Sequence, residues 1–127
     1  MQGQLVQRQK LRGVGRLMRA FISSARGFAG CFREEEAFRQ ELLFACVALP
    51  LALWLGRSGV ERALLAAPVL LILIVELLNS AIEATLDRIS LERNPLAGLA
   101  KDIGSAAVMG SFILFGLVWL LVLIDHW

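Results

Sequence analysis

Val75-Glu76-Leu77-Leu78-Asn79-Ser80-Ala81-Ile82-Glu83-Ala84-Thr85-Leu86-Asp87 decides how this chain is read. The stretch follows a run from Ala63 that carries no charge before Glu76, so it forms the far end of a helix apolar enough to cross a membrane. At about 100° per residue, Glu76, Asn79, Glu83 and Asp87 fall within an arc of roughly 80°. Three carboxylates and an amide thus share one face, while Val75, Leu77, Leu78 and Ile82 cover much of the remainder. Setting that stripe against lipid would cost roughly 3 kcal/mol per carboxylate, so it must face protein, water or a ligand. Counted from Ala63 at about 1.5 Å per residue, Glu76 lies roughly 20 Å into a hydrocarbon layer of about 30 Å. Glu83 comes near the far boundary and Asp87 just beyond it. The stripe climbs from bilayer to water, which suits a site where a membrane-dissolved molecule meets a water-soluble one. A seam that merely joins helices would account for one such Glu more readily than for four aligned polar groups.

The rest of the chain agrees with a membrane setting. Its 127 residues are 57% hydrophobic, which predicts one small all-α membrane domain over 11–127 behind a flexible N-terminus, 1–10. Thirteen basic against eleven acidic residues leave a net charge of +2, too little to argue for a nucleic-acid partner. No linker, repeat or low-complexity tract divides the chain, and no apolar core of a cleavable signal peptide is expected. Cys31 and Cys46 lack metal-ligand spacing and read as free packed thiols.

From Leu11 to about Arg33 the apolar residues Leu11, Val14, Leu17, Met18, Phe21, Ile22, Phe28 and Phe32 gather on one side, and Arg12, Arg16, Arg19, Arg26 and Arg33 on another. This predicts an N-terminal amphipathic surface helix, its arginines toward anionic headgroups, with Gly13, Gly15, Gly27 and Gly30 weakening or kinking it. Glu34-Glu35-Glu36-Ala37-Phe38-Arg39-Gln40-Glu41 is a charged collar: a solvated helix entrance, or a hard-cation site, since Mg²⁺ favours one or two carboxylates plus phosphate oxygens. Three transmembrane helices are expected, over about 38–55, 63–87 and 99–124. The 56–62 segment reads as a turn, and Asn94-Pro95 as a turn in the polar connection that follows the second span. In the third span, Ala106/Gly110 and Ala107/Ser111 make small-residue faces suited to close helix packing. Trp119 and Trp127 suit the distal interface.

Eleven of the thirteen Lys and Arg lie in the N-terminal arm and the 88–101 connection. Basic residues favour the cytoplasmic side, so the N-terminus is expected in the cytosol and the C-terminus outside. The collar, the end of the stripe and Lys101-Asp102 then converge on the cytosolic interface. Carboxylates for a metal, cations for phosphates and a deeper Glu suggest phosphoryl transfer to a lipid hydroxyl. A small ion-coupled transporter carrying its proton on Glu76, or a structural membrane subunit, are the alternatives that composition leaves open. No soluble nucleotide motif is present: Gly98-Leu99-Ala100-Lys101 lacks the spacing of a phosphate-binding loop.

Glu36 to Glu41, Val75 to Ala84 and Ala100-Lys101-Asp102-Ile103-Gly104-Ser105-Ala106-Ala107-Val108 together resemble the prokaryotic integral-membrane diacylglycerol kinase family, collinearly from about Arg16 onward. The resemblance implies three spans, a surface helix, and a homotrimer with active sites shared between subunits. It implies ATP as co-substrate, Mg²⁺ as cofactor and a membrane lipid as acceptor. Carried over residue by residue, Glu76 becomes the catalytic base and also touches substrate. Glu35 and Glu83 hold the nucleotide's Mg²⁺. Arg16, Ser23, Glu92, Asn94, Lys101 and Asp102 join them as nucleotide-binding positions, and Ser24, Trp54 and Ser105 fall at lipid contacts. Asn79 and Asp87 complete the active site. Ser23 stands where a Tyr is familiar, and Glu36 where a small residue is. Of the family's two branches, Phe38-Arg39-Gln40-Glu41, Asp87-Arg88-Ile89 and Lys101-Asp102-Ile103-Gly104-Ser105 look like the diacylglycerol branch, whereas Asn94-Pro95-Leu96-Ala97 is nearer the undecaprenol branch. The expected product is phosphatidic acid, made at the inner membrane in phospholipid recycling.

Overall fold

The computed structural model describes residues 13–89 and 95–126, all of them in helices or short connections. Four helices follow in order: α1 (Val14–Glu34), α2 (Glu36–Leu55), α3 (Gly59–Ile89) and α4 (Pro95–Ile124). The last three are each long and apolar enough to cross a membrane. The expected flexible residues 1–10, the assignments to Glu92 and Asn94, and Trp127 lie outside the described residues.

The chain divides into two units, residues 1–34 and 35–127. In the first, α1 runs without interruption through Gly15, Gly27 and Gly30. Each glycine costs about 1 kcal/mol relative to Ala, less than leaving backbone groups unpaired near hydrocarbon. Val14, Leu17, Phe21 and Phe28 remain exposed along it, as a face meant for lipid should.

In the second unit, α3 packs against both α2 and α4. Lipid tails are as apolar as the side chains, so close van der Waals contact must hold the helices together. Ala45, Ala48 and Ala52 are buried along α2 at intervals of three or four residues, as are Leu65, Val69 and Ile72 along α3, and Ala45 and Ala48 cluster with Val69. Aromatic rings join α2 to α4: Phe44 meets Phe115 nearly edge-on with centroids 5.1 Å apart, and Phe115 meets Trp119 at 4.9 Å. The Trp119 indole donates to the Leu65 carbonyl at 2.9 Å, pairing both polar groups in an apolar layer. α4 buries Gly104 and Ser111, while Ala106, Ala107 and Gly110 stay exposed within the chain. The face used inside the chain is therefore offset from the expected small-residue faces, because Gly104 is needed opposite Asn79.

Two helix starts come earlier than the sequence suggested. α3 begins at Gly59 because Ser58 caps it: the Glu61 amide donates to Ser58 Oγ at 3.1 Å, and Glu61 Oε1 returns to accept from the Arg57 amide at 3.0 Å. Ser58-Gly59-Val60-Glu61 is a variant of the S-x-x-E capping box. α4 begins at Pro95, whose missing N–H costs nothing at a first helical position. Gly56 permits the tight turn between α2 and α3, since a Cβ there would strike Arg62 side chain and backbone. The same end holds the C-terminus, where His126 Nε2 lies 2.7 Å from Glu61 Oε1 and Arg57 Nη2 donates to the His126 carbonyl at 3.3 Å.

Candidate active site

At the other end of the three-helix unit, the stripe on α3 turns inward. Glu76, Asn79 and Ser80 are only 4%, 8% and 8% exposed, which α3 achieves by facing them into α2 and α4 rather than lipid. Such burial of a carboxylate costs several kcal/mol unless a partner or a function offsets it.

Its neighbours are more carboxylates. The Glu41 carboxyl, from α2, lies against that of Glu76. Among the described residues, Glu41 Oε2 is buried without a hydrogen-bond partner. Glu35 and Glu83 stand close enough to repel the Glu76 charge. Glu35 is the non-helical residue ahead of α2, and Glu83 lies two turns beyond Glu76 on α3, about 10 Å along the axis. Asn79 links the levels by donating from Nδ2 to Glu83 Oε1 at 3.3 Å. Ser80 Oγ is near Glu76, and Ser80 Oγ and Asn79 Oδ1 are further buried polar atoms without a well-formed hydrogen bond among the described residues. Three such atoms at one end of a small unit point to a site built for a ligand.

Beyond the carboxylates, Lys101 Nζ sits 2.6 Å from Asp87 Oδ1. Both side chains are well exposed, so this ion pair adds little stability, and the ammonium can leave Asp87 for a stronger anion. Asp102 and Ser105 follow on α4, both exposed, next to the buried Gly104.

The structure thus brings Glu35, Glu76, Asn79 and Glu83 together and places Lys101 on Asp87 past the end of the stripe. Trp54 does not join them: it is 78% exposed near the far end of α2, beside Leu53, whose carbonyl accepts from Arg62. Arg16, Ser23 and Ser24 belong to the first unit, exposed on α1, where Ser24 Oγ donates to its own helix at Ala20. Glu36 is exposed in the first turn of α2, as a solvated collar residue would be.

Two residues that the sequence had not assigned to the site belong to it. Glu41 had been read only as part of the collar, yet it falls on the face of α2 that holds Phe38, Ala45, Ala48 and Ala52, at spacings of three, four, seven and eleven. That periodicity was the available signal. Gly104 gave no signal beyond its place after Lys101-Asp102.

A cation fits this donor set. The atoms are hard carboxylate and amide oxygens, the negative charge is concentrated, and two of the acceptors are orphaned. Among the described residues, no group of three or more His, Cys, Asp or Glu is arranged to hold a metal ion by itself. That suits an ion which takes one or two carboxylates and fills its shell with water and phosphate, as Mg²⁺ does.

Comparison with known proteins accounts for this assembly. Residues 22–123 match the family model for prokaryotic diacylglycerol kinase; Arg16 lies ahead of the matched part. The chain is 50% identical over 112 residues to a diacylglycerol kinase of Pseudomonas aeruginosa, covering 88% of this chain and 91% of that protein. It is 42% identical over 114 residues to that of Escherichia coli, covering 90% and 93%, and 39% identical over 110 residues to that of Helicobacter pylori, covering 87% and 86%. Kinase relatives across nearly the whole chain set aside the transporter and structural-subunit readings. Matched along most of its length by the family model and by these relatives, the chain belongs to the prokaryotic diacylglycerol kinase family of ATP-dependent membrane enzymes.

Proposed function

We propose that this protein transfers the γ-phosphoryl group of ATP to the free hydroxyl of diacylglycerol, giving phosphatidic acid and ADP. The observation that carries the reading is the buried Glu76, set among Glu35, Glu41 and Glu83 at the end of a stripe leading from apolar interior to exposed surface. A carboxylate at that depth can reach a hydroxyl held near the headgroups, while the exposed end of the stripe can reach a nucleotide.

Glu76 accepts the hydroxyl proton as the lipid oxygen bonds to the γ-phosphorus and the bond to the ADP oxygen breaks. Glu41 holds Glu76 in place from α2, with Glu35 and Glu83 nearby. Glu35 and Glu83 would hold Mg²⁺, which neutralises phosphate charge when bound. Asn79 steadies Glu83 through its amide. Lys101 leaves Asp87 for the phosphates, and Asp102 lies beside it. The nucleotide roles of Arg16, Ser23, Glu92 and Asn94, and the lipid roles of Ser24, Trp54 and Ser105, rest on the family resemblance alone.

The bias of Lys and Arg toward the N-terminal arm and the 88–101 connection supports a cytosolic N-terminus and site, an outward C-terminus, and residence in the bacterial inner membrane. Ala106 and Gly110, turned outward from a single chain, support assembly into a homotrimer by close helix contact. Purified protein with Mg²⁺-ATP should phosphorylate diacylglycerol, and a Glu76→Gln variant should do so at least about 100-fold more slowly. Faster turnover of undecaprenol would move the protein to the other branch of the family; phosphorylation of neither lipid would end the kinase reading.

A further inference from the structure

Gly104 makes the closest approach between α4 and α3 at the site. A Cβ built on it would fall on the Asn79 amide oxygen, and the three nearest atoms all belong to Asn79. Gly98, Gly110 and Gly116 on the same helix have nothing within 4 Å of such a Cβ, so the demand for glycine is local to this contact. The Cα–H that occupies the place of the side chain points at Asn79 Oδ1, an acceptor with no N–H or O–H partner, and offers it a weak C–H contact. On its other side the same amide donates to Glu83. The amide is therefore held between Gly104 and Glu83, which fixes where Nδ2 points.

We propose that Gly104 is a positioning residue for phosphoryl transfer: by lacking a side chain it lets α4 lie on the Asn79 amide and so aims Asn79 at the Glu83 carboxylate. The inference rests on the assignment of Asn79 and Glu83 to the site. A methyl group at 104 must either turn the amide away from Glu83 or push α4 outward, and the second route carries Lys101 with it, one turn earlier on the same helix. Either displaces charged groups around the phosphates. A misplacement of about 1 Å can cost on the order of 100-fold in rate.

The test compares Gly104→Ala, Asn79→Ala and the double variant, with Gly116→Ala, which has open space around it, as the control on the same helix. Turnover is followed with radiolabelled ATP in detergent, KM for each substrate is measured, and Tm is taken without nucleotide or Mg²⁺. Gly116→Ala should match the parent. Gly104→Ala should lower kcat about 10- to 100-fold, leave KM for the lipid unchanged, and lower Tm. In the Asn79→Ala background the same change should alter neither turnover nor Tm, because the amide it would strike is gone. Parental turnover in Gly104→Ala, or an equal loss in both backgrounds, overturns the proposal. If Gly104→Ala alone does not fold, the double variant must; a misfolded double variant also overturns it. Parental turnover in Asn79→Ala would remove Asn79 from the site and this proposal with it, whereas an impaired Asn79→Ala beside an active Gly104→Ala removes only Gly104.

Discussion

Replacing Glu76 with Gln separates chemistry from stability in a way few single changes can. Gln has nearly the size of Glu and keeps a carbonyl acceptor, so the packing of α3 against α2 and α4 is preserved. What disappears is the proton acceptor and a buried charge. A lost general base typically costs about 10²- to 10⁴-fold, or roughly 2.7 to 5.5 kcal/mol of transition-state stabilisation. The structure gives the opposite sign for folding. Glu76 is 4% exposed, lies against Glu41 and feels Glu35 and Glu83. Removing its charge relieves repulsion and gives Glu41 an amide donor for the oxygen that now has none. We expect kcat to fall at least about 100-fold, KM for both substrates to change little, and Tm to hold or rise. The assay is steady-state turnover in detergent micelles with diacylglycerol and Mg²⁺-ATP, beside thermal unfolding of the same preparation. Turnover near the parental rate in a folded variant would refute Glu76 as the proton acceptor. A steep loss of both turnover and Tm would refute the charge argument, because the carboxylate would then be holding the helices together.

Three further outcomes follow from the same geometry. Glu83→Gln and Glu35→Gln should each raise the Mg²⁺ concentration needed for half-maximal turnover, since each loses a hard charged ligand; unchanged Mg²⁺ titrations in both would make the carboxylates structural. In a cysteine-free background, a Cys at Ser58 should react with an impermeant thiol reagent added outside cells, and a Cys at Gly98 only after the membrane is opened; the reverse pattern would put the site on the wrong side for ATP. His126→Ala removes a largely buried partner of Glu61 at the end remote from the site, so it should lower Tm slightly with kcat unchanged, and a fall in kcat would show that the two ends are coupled.

The sequence by itself determined the helices, because their causes are local. An uncharged run long enough to cross hydrocarbon must hydrogen-bond its own backbone, and three such runs leave few folds open. The stripe of Glu76, Asn79, Glu83 and Asp87 was equally legible, since 3.6-residue periodicity places those side chains on one face whatever surrounds them. The start of α3 was not read: Ser58-Gly59-Val60-Glu61 passed for part of a turn, and the structure shows Ser58 capping the helix there. Only the tertiary structure decided what the stripe faces. Which side of α2 meets it, bringing Glu41 to Glu76, depends on the packing of Ala45, Ala48 and Ala52 against Val69. Which side of α4 meets it depends on the one glycine where a neighbouring amide needs the space of a side chain. Periodicity assigns a residue to a face of its own helix; contact between faces is a property of two helices at once, and it is decided by shape.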